Sequence, residues 1–131
     1  MPDESVSDEI MSGPTGLANA NLAALMCTCT CPDMATAERI AQVLVEERLA
    51  ACVNLLPGIR SVYRWKDAVE RAEEVLLLVK TASDRLDAVI ERVRSLHPYE
   101  LPELLAVEVA GGLPVYLDWV ADQTRTGVSN R

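Results

Sequence analysis

AACVNLLPGIRSVYRWKDAVERAEEVLLLVKT, residues 50–81, holds two extended segments joined by a short connection. After the turn or bulge signal Pro57-Gly58, IRSVYRW alternates: Ile59, Ser61, Tyr63 and Trp65 share one face, and Arg60, Val62 and Arg64 the other. A period of two is the mark of a strand with one wet face. Together with AACVNLL before it, the run is consistent with one long strand kinked at Pro57-Gly58. Lys66-Asp67-Ala68 turns the chain. VERAEEVLLLVKT then returns as a strand whose second half, Val75–Val79, is apolar on both faces, which predicts a central position in a sheet.

Outward from this hairpin, both flanks repeat one pattern. Upstream, Leu22–Cys31 is a short apolar or thiol-bearing run that ends at Pro32 and reads as a strand. Asp33 suits an N-cap for MATAERIAQVLVEERL, where Ala37, Ile40, Ala41, Leu44 and Val45 fall on one helical face. Downstream, Ser83 is the expected cap of a helix carrying Leu86, Val89, Ile90, Val93 and Leu96, and Pro98 stops it. Leu104–Val109 reads as a strand closed by Gly111-Gly112, and Pro114 opens a short final helix, VYLDWVADQ. The order β-α-β-β-α-β plus a C-terminal helix predicts an α+β, ferredoxin-like sandwich with both main helices on one face of an antiparallel sheet. The other face would still show Ile59, Tyr63, Trp65 and part of the apolar run, which predicts self-association.

The 131 residues predict one domain, at 22–123, between a disordered acidic N-terminal tail (1–21) and a short C-terminal tail (124–131). The first tail carries Asp3, Glu4, Asp8 and Glu9 without Lys or Arg, which is half of the net charge of −8. The remaining body is mildly acidic, with no basic stripe, so nucleic acid and anionic membrane are excluded as expected partners. No apolar run approaches the roughly 18 residues of a membrane helix, and no signal peptide is read. The expectation is a cytoplasmic protein whose cysteines are thiols.

Three of the four cysteines alternate in MCTCTCP (26–32). On a strand, Cys27, Cys29 and Cys31 share a face, with neighbours about 6.6 Å apart along the axis. That is a poor span for a disulfide, and too wide for three sulfurs to hold one ion unaided. They read as small buried hydrophobes, one of which could ligate with groups from elsewhere; Cys52 reads as core. His97 is the single histidine and opens HPYELPE (97–103), a loop stiffened by two prolines and carrying Tyr99, Glu100 and Glu103. It fits either a helix C-terminal group or a binding loop. Lys80, after an apolar strand, is expected to pair with Glu100 or Glu103. The aromatic residues Tyr63, Trp65, Tyr99, Tyr116 and Trp119 read as interface or core, at places where a polar tip is wanted. No phosphate-binding loop, dinucleotide fingerprint or nucleophile elbow occurs. With no nucleophile–base–orienter set, catalysis by Lys80 or His97 is the weakest reading.

LVEERLAACVNLLPGIRSVYRW (44–65), EEVLLLVKT (73–81), HPYELPELLAVEV (97–109) and YLDW (116–119) together resemble the CutA family, the divalent-cation tolerance proteins, over about 23–123. The resemblance implies a homotrimer of ferredoxin-like subunits joined through their sheets. It also implies a shape similar to the PII signalling proteins, tolerance of and weak binding to copper or another divalent cation, and no enzymatic reaction. By the same resemblance, Cys29, counted back from Pro32, and His97 of HPY match metal-linked positions. A second histidine present in some members is Leu96 here, and the hairpin's glycine is Asp67, which predicts a changed turn in an intact fold. The implied metal site is Cys29 and His97 with Glu103. An inter-subunit cleft is expected to be walled by Tyr63, Trp65, Lys80, Tyr99, Glu100 and Trp119. The alternative is a PII-like signalling or scaffold trimer whose clefts bind a small anion or a partner through Lys80, Arg60 and Arg64.

Overall fold

The computed structural model describes residues 23–125; the acidic tail 1–21, with Leu22, and residues 126–131 lie outside them. The chain runs β1 (Ala24–Cys31), α1 (Met34–Glu46), β2 (Cys52–Trp65), β3 (Ala68–Ala82), a 3-10 turn (Ser83–Arg85), α2 (Leu86–Leu96), β4 (Leu105–Glu108) and α3 (Pro114–Gln123). The sheet order is β2-β3-β1-β4, with every neighbouring pair antiparallel. This is the ferredoxin-like α+β arrangement, with the apolar β3 run in the interior of the sheet. Among the described residues, no helix is long and apolar enough to cross a membrane.

The register explains the burial. Cys27 faces Val79, Cys29 faces Leu77 and Cys31 faces Val75 across the β1–β3 ladder. These pairs point one way and are sealed by Ala37, Ile40 and Leu44 of α1 and by Val89 and Val93 of α2. All three cysteines of β1 are fully buried. A buried side chain of the size of Leu77 or Ile40 stabilises the fold by about 1.5–3 kcal/mol relative to exposure, so this face supplies most of the core.

Local chemistry sets the ends of the elements. Asp33 Oδ1 accepts the Thr36 N–H at 2.8 Å and starts α1. Ser83 does not cap α2 as expected: that helix begins through the 3-10 turn, with no side-chain cap. The Ser83 N–H is instead held by the Ala23 carbonyl at 2.8 Å, tying the end of β3 to the start of β1. Thr124, assigned to a tail by sequence, is buried and closes α3 by donating to the Val120 carbonyl at 2.9 Å.

β2 is a single strand that bulges between Leu56 and Ile59, where Gly58 has φ +80°. Its alternation holds: Ile59 stands opposite Glu74, Ser61 opposite Ala72 and Tyr63 opposite Glu70. β1 pairs with β3 only from Val75 onward, so residues 59–74 continue past the sheet as a two-stranded arm. The tip is a two-residue turn with Lys66 at φ 51° and Asp67 at φ 69°. The arm exposes Val62, Tyr63 and Val69.

Candidate metal centre and adjoining cleft

β4 pairs with residues 25–28 of β1 and goes no further. Beyond that point His97 serves the β1 edge: its Nε2 lies 2.8 Å from the Thr30 carbonyl. Its Nδ1 accepts the Tyr99 N–H at 3.1 Å. An accepting Nδ1 leaves the proton on Nε2, so the ring is the neutral tautomer that donates to Thr30. His97 is therefore the buried C-cap of α2 and the clasp between the HPYELPE loop and β1.

This clasp brings the imidazole to the thiols. One ligand atom each from Cys29, Cys31 and His97 lie within 4.8 Å of one another, and all three residues are buried. Sequence reasoning placed Cys29 with His97 and had Cys31 simply packing. The axial spacing of alternate residues overstates the separation of sulfurs, because side chains at a strand end can lean together. The Cys29 thiol donates weakly to the Thr30 carbonyl at 3.9 Å; it is pushed up, first by the neighbouring Cys31 sulfur and then by burial, while Cys31 is lowered by its closeness to Cys29. Cys27, deeper along the strand, is pushed up by burial and lies outside the cluster.

Glu103 does not join these three. Its Oε2 accepts from Thr28 Oγ1 at 2.9 Å, and the Thr28 side chain leaves β1 on the face opposite Cys27 and Cys29. Lys80 pairs with neither Glu100 nor Glu103; its ammonium donates to Asn54 Oδ1 across the β2–β3 ladder. The reason is register: Asn54 and Lys80 are near-opposite on one face, whereas the loop carrying both glutamates attaches beside β1.

A cavity of about 700 Å³ opens between the arm and the loop. Of the expected wall residues, Tyr63, Trp65, Tyr99 and Glu100 line it, joined by Glu103, Glu74 and Arg64. Lys80 and Trp119 do not; Trp119 stacks with Tyr116 on α3, ring centroids 5.5 Å apart. Glu74 was missed from the sequence. It is buried, and its two oxygens accept from Ser61 Oγ at 2.6 Å and Tyr99 Oη at 2.7 Å. Burial, and then the Glu74 carboxylate, push the Tyr99 phenol up, so it remains a donor. The available signal was position: Glu74 directly precedes the apolar run and shares the Ile59 face. Three carboxylates and one arginine line this cavity within one chain.

A four-stranded antiparallel sheet with two helices on one face defines a ferredoxin-like α+β protein, in which two thiols and an imidazole converge beside the HPYELPE loop. A family model described as CutA1 divalent ion tolerance protein matches residues 25–123. The chain belongs to that family. It is 50% identical to the divalent-cation tolerance protein CutA of Thermus thermophilus over 95 residues, 72% of this chain and 92% of that protein. It is also 50% identical to mouse Protein CutA over 101 residues, 77% of this chain but only about half, 56%, of the mouse protein's length. The crystal structure of CutA from Xylella fastidiosa superposes with a TM-score of 0.77 at 48% identity, covering 79% of this chain and 99% of that one. A structure described as the PII-like protein CutA from Nostoc sp. PCC 7120 superposes with a TM-score of 0.72 at 39% identity, covering 77% and 97%.

Proposed function

We propose that the protein binds a soft metal ion, copper or a divalent ion of similar preference, through Cys29, Cys31 and His97. We further propose that it acts as a homotrimer in metal tolerance rather than as a catalyst. The observation that carries the reading is the convergence of two thiols and an imidazole, all buried, within 4.8 Å. Thiolate and imidazole together suit copper and zinc, and carboxylate-rich magnesium or calcium chemistry is absent from this cluster. Binding displaces the thiol protons of Cys29 and Cys31 and one of the two His97 hydrogen bonds, which keeps the affinity modest. The names of the relatives, tolerance proteins for divalent cations, agree with this chemistry.

The trimer is supported by the two free sheet edges, β2 and β4, and by the arm. A two-stranded ribbon is marginal alone, so residues 59–74 call for a neighbouring surface.

Copper titration against a competing chelator tests the site in wild type, Cys29→Ser, Cys31→Ser and His97→Ala. The expected result is one ion per chain in wild type. Each variant should lose more than about tenfold in affinity, since groups that merely orient a ligand cost about 10–100-fold. Equal affinity in all four proteins would refute the assignment.

A further inference from the structure

Taking Cys29, Cys31 and His97 as the metal centre proposed above, we infer that it selects monovalent cuprous copper over zinc and other divalent ions, because it offers only three donors in a site closed to water. Donor number comes first. Among the described residues, the cluster of potential ligands stops at two sulfurs and one imidazole. Cys27 shares the strand face but lies outside it. The nearby carboxylates are engaged elsewhere: Asp33 with the Thr36 N–H at the start of α1, Glu74 with Ser61 and Tyr99, and Glu103 with Thr28. Zinc in proteins takes four ligands, and where the chain supplies three, water supplies the fourth. Cuprous copper is satisfied by two or three soft donors, and thiolates are among the ligands that select it.

Closure then weighs against the divalent ion. Cys29 and Cys31 are 0% exposed and His97 is 8% exposed. Leu77 and Val75 stand opposite the two cysteines across the ladder, and α1 covers the face with Ala37, Ile40 and Leu44. All of these walls belong to a single chain, so the burial of the donors does not depend on other copies. An apolar shell of this kind controls the entry of solvent. A divalent ion entering it sheds its hydration without gaining a fourth donor. Charge alone would favour zinc, since two thiolates neutralise it. The incomplete shell is the larger cost, because neither a carboxylate nor water is at hand to complete it.

The whole chain in its native assembly is titrated without oxygen, with cuprous ion against bathocuproine disulfonate and with zinc against a zinc chelator. One cuprous ion per chain should bind. Equimolar cuprous ion should strip zinc from zinc-loaded protein, and equimolar zinc should leave bound copper in place. The copper absorption edge should carry the signature of a three-coordinate cuprous ion. Cys31→Ser should weaken cuprous binding by more than about tenfold, beyond the lower end of the loss for groups that only orient a ligand. Cys27→Ser, equally buried on the same strand, should leave it unchanged. Zinc that resists displacement, or a copper shell of four donors with the fourth from water or a second copy, would overturn the cuprous selectivity and leave the metal centre standing. No cuprous binding, affinity unchanged in Cys31→Ser, or an equal loss in Cys27→Ser would overturn both.

Discussion

His97 has both ring nitrogens in hydrogen bonds, one to the Thr30 carbonyl and one from the Tyr99 N–H. Removing the ring orphans two backbone groups at a buried position, each worth about 1–3 kcal/mol. His97→Ala is therefore expected to lower the metal-free unfolding free energy by about 2–4 kcal/mol in urea, whereas Cys29→Ser, which keeps shape and a donor, should cost less. Asp33 gives the pH-dependent case. The Thr36 backbone N–H holds its carboxyl below the usual carboxylate range. A depressed folded-state pKa contributes stability above the unfolded value, and that contribution is lost as pH falls through the folded value. Asp33→Ala should thus be less stable than wild type at neutral pH, and the gap should close in acid below the ordinary carboxylate range. A gap that persists unchanged in acid would show that the cap charge is not responsible. At this scale the sequence was only partly legible. The Asp33 cap follows from position, and Cys29 and His97 were singled out by the family resemblance, but the Cys29–Cys31 approach, Lys80 with Asn54 and Glu103 with Thr28 depend on side-chain directions that spacing does not encode.

The β2–β3 hairpin shows what was readable at the scale of elements. Alternation in IRSVYRW, the Pro57-Gly58 interruption and the two-sided apolar run of β3 were enough to locate a kinked strand and a central one. The structure adds the bulge at Leu56/Ile59 and the length of the arm. Lys66 and Asp67 form a two-residue turn with positive φ at both positions, the geometry that favours Asn-Gly. Asp67→Gly removes the left-handed strain but loosens the unfolded chain, and the net gain should be up to about 1 kcal/mol. A higher urea midpoint in the variant checks this; a lower one would show that the Asp67 side chain stabilises the turn. The start of α2 was misread because Ser83 looks like a cap in one dimension, while its backbone is recruited by Ala23 in three.

For the molecule as a whole, the element order was sufficient for the fold, because only one face of the predicted sheet could be covered by two amphipathic helices. The bare surfaces then bear on assembly. β4 lies at a sheet edge with Leu105 65% and Val107 54% exposed, an arrangement that invites edge-to-edge association. Sedimentation should give three times the 14.3 kDa chain mass, and Val107→Glu should shift the protein toward monomer. A monomeric wild type would remove the trimer. The Glu74–Tyr99–Ser61 arrangement was not legible in the chain, since it joins residues from β2, β3 and the loop. The central claim is that one chain supplies two sulfurs and one imidazole to a soft metal ion. X-ray absorption on copper-loaded wild type and Cys31→Ser tests it most directly. The account predicts a copper shell of two sulfurs and an imidazole nitrogen that loses one sulfur in the variant. A shell of oxygen and nitrogen alone, or one unchanged when Cys31 is replaced, would contradict it.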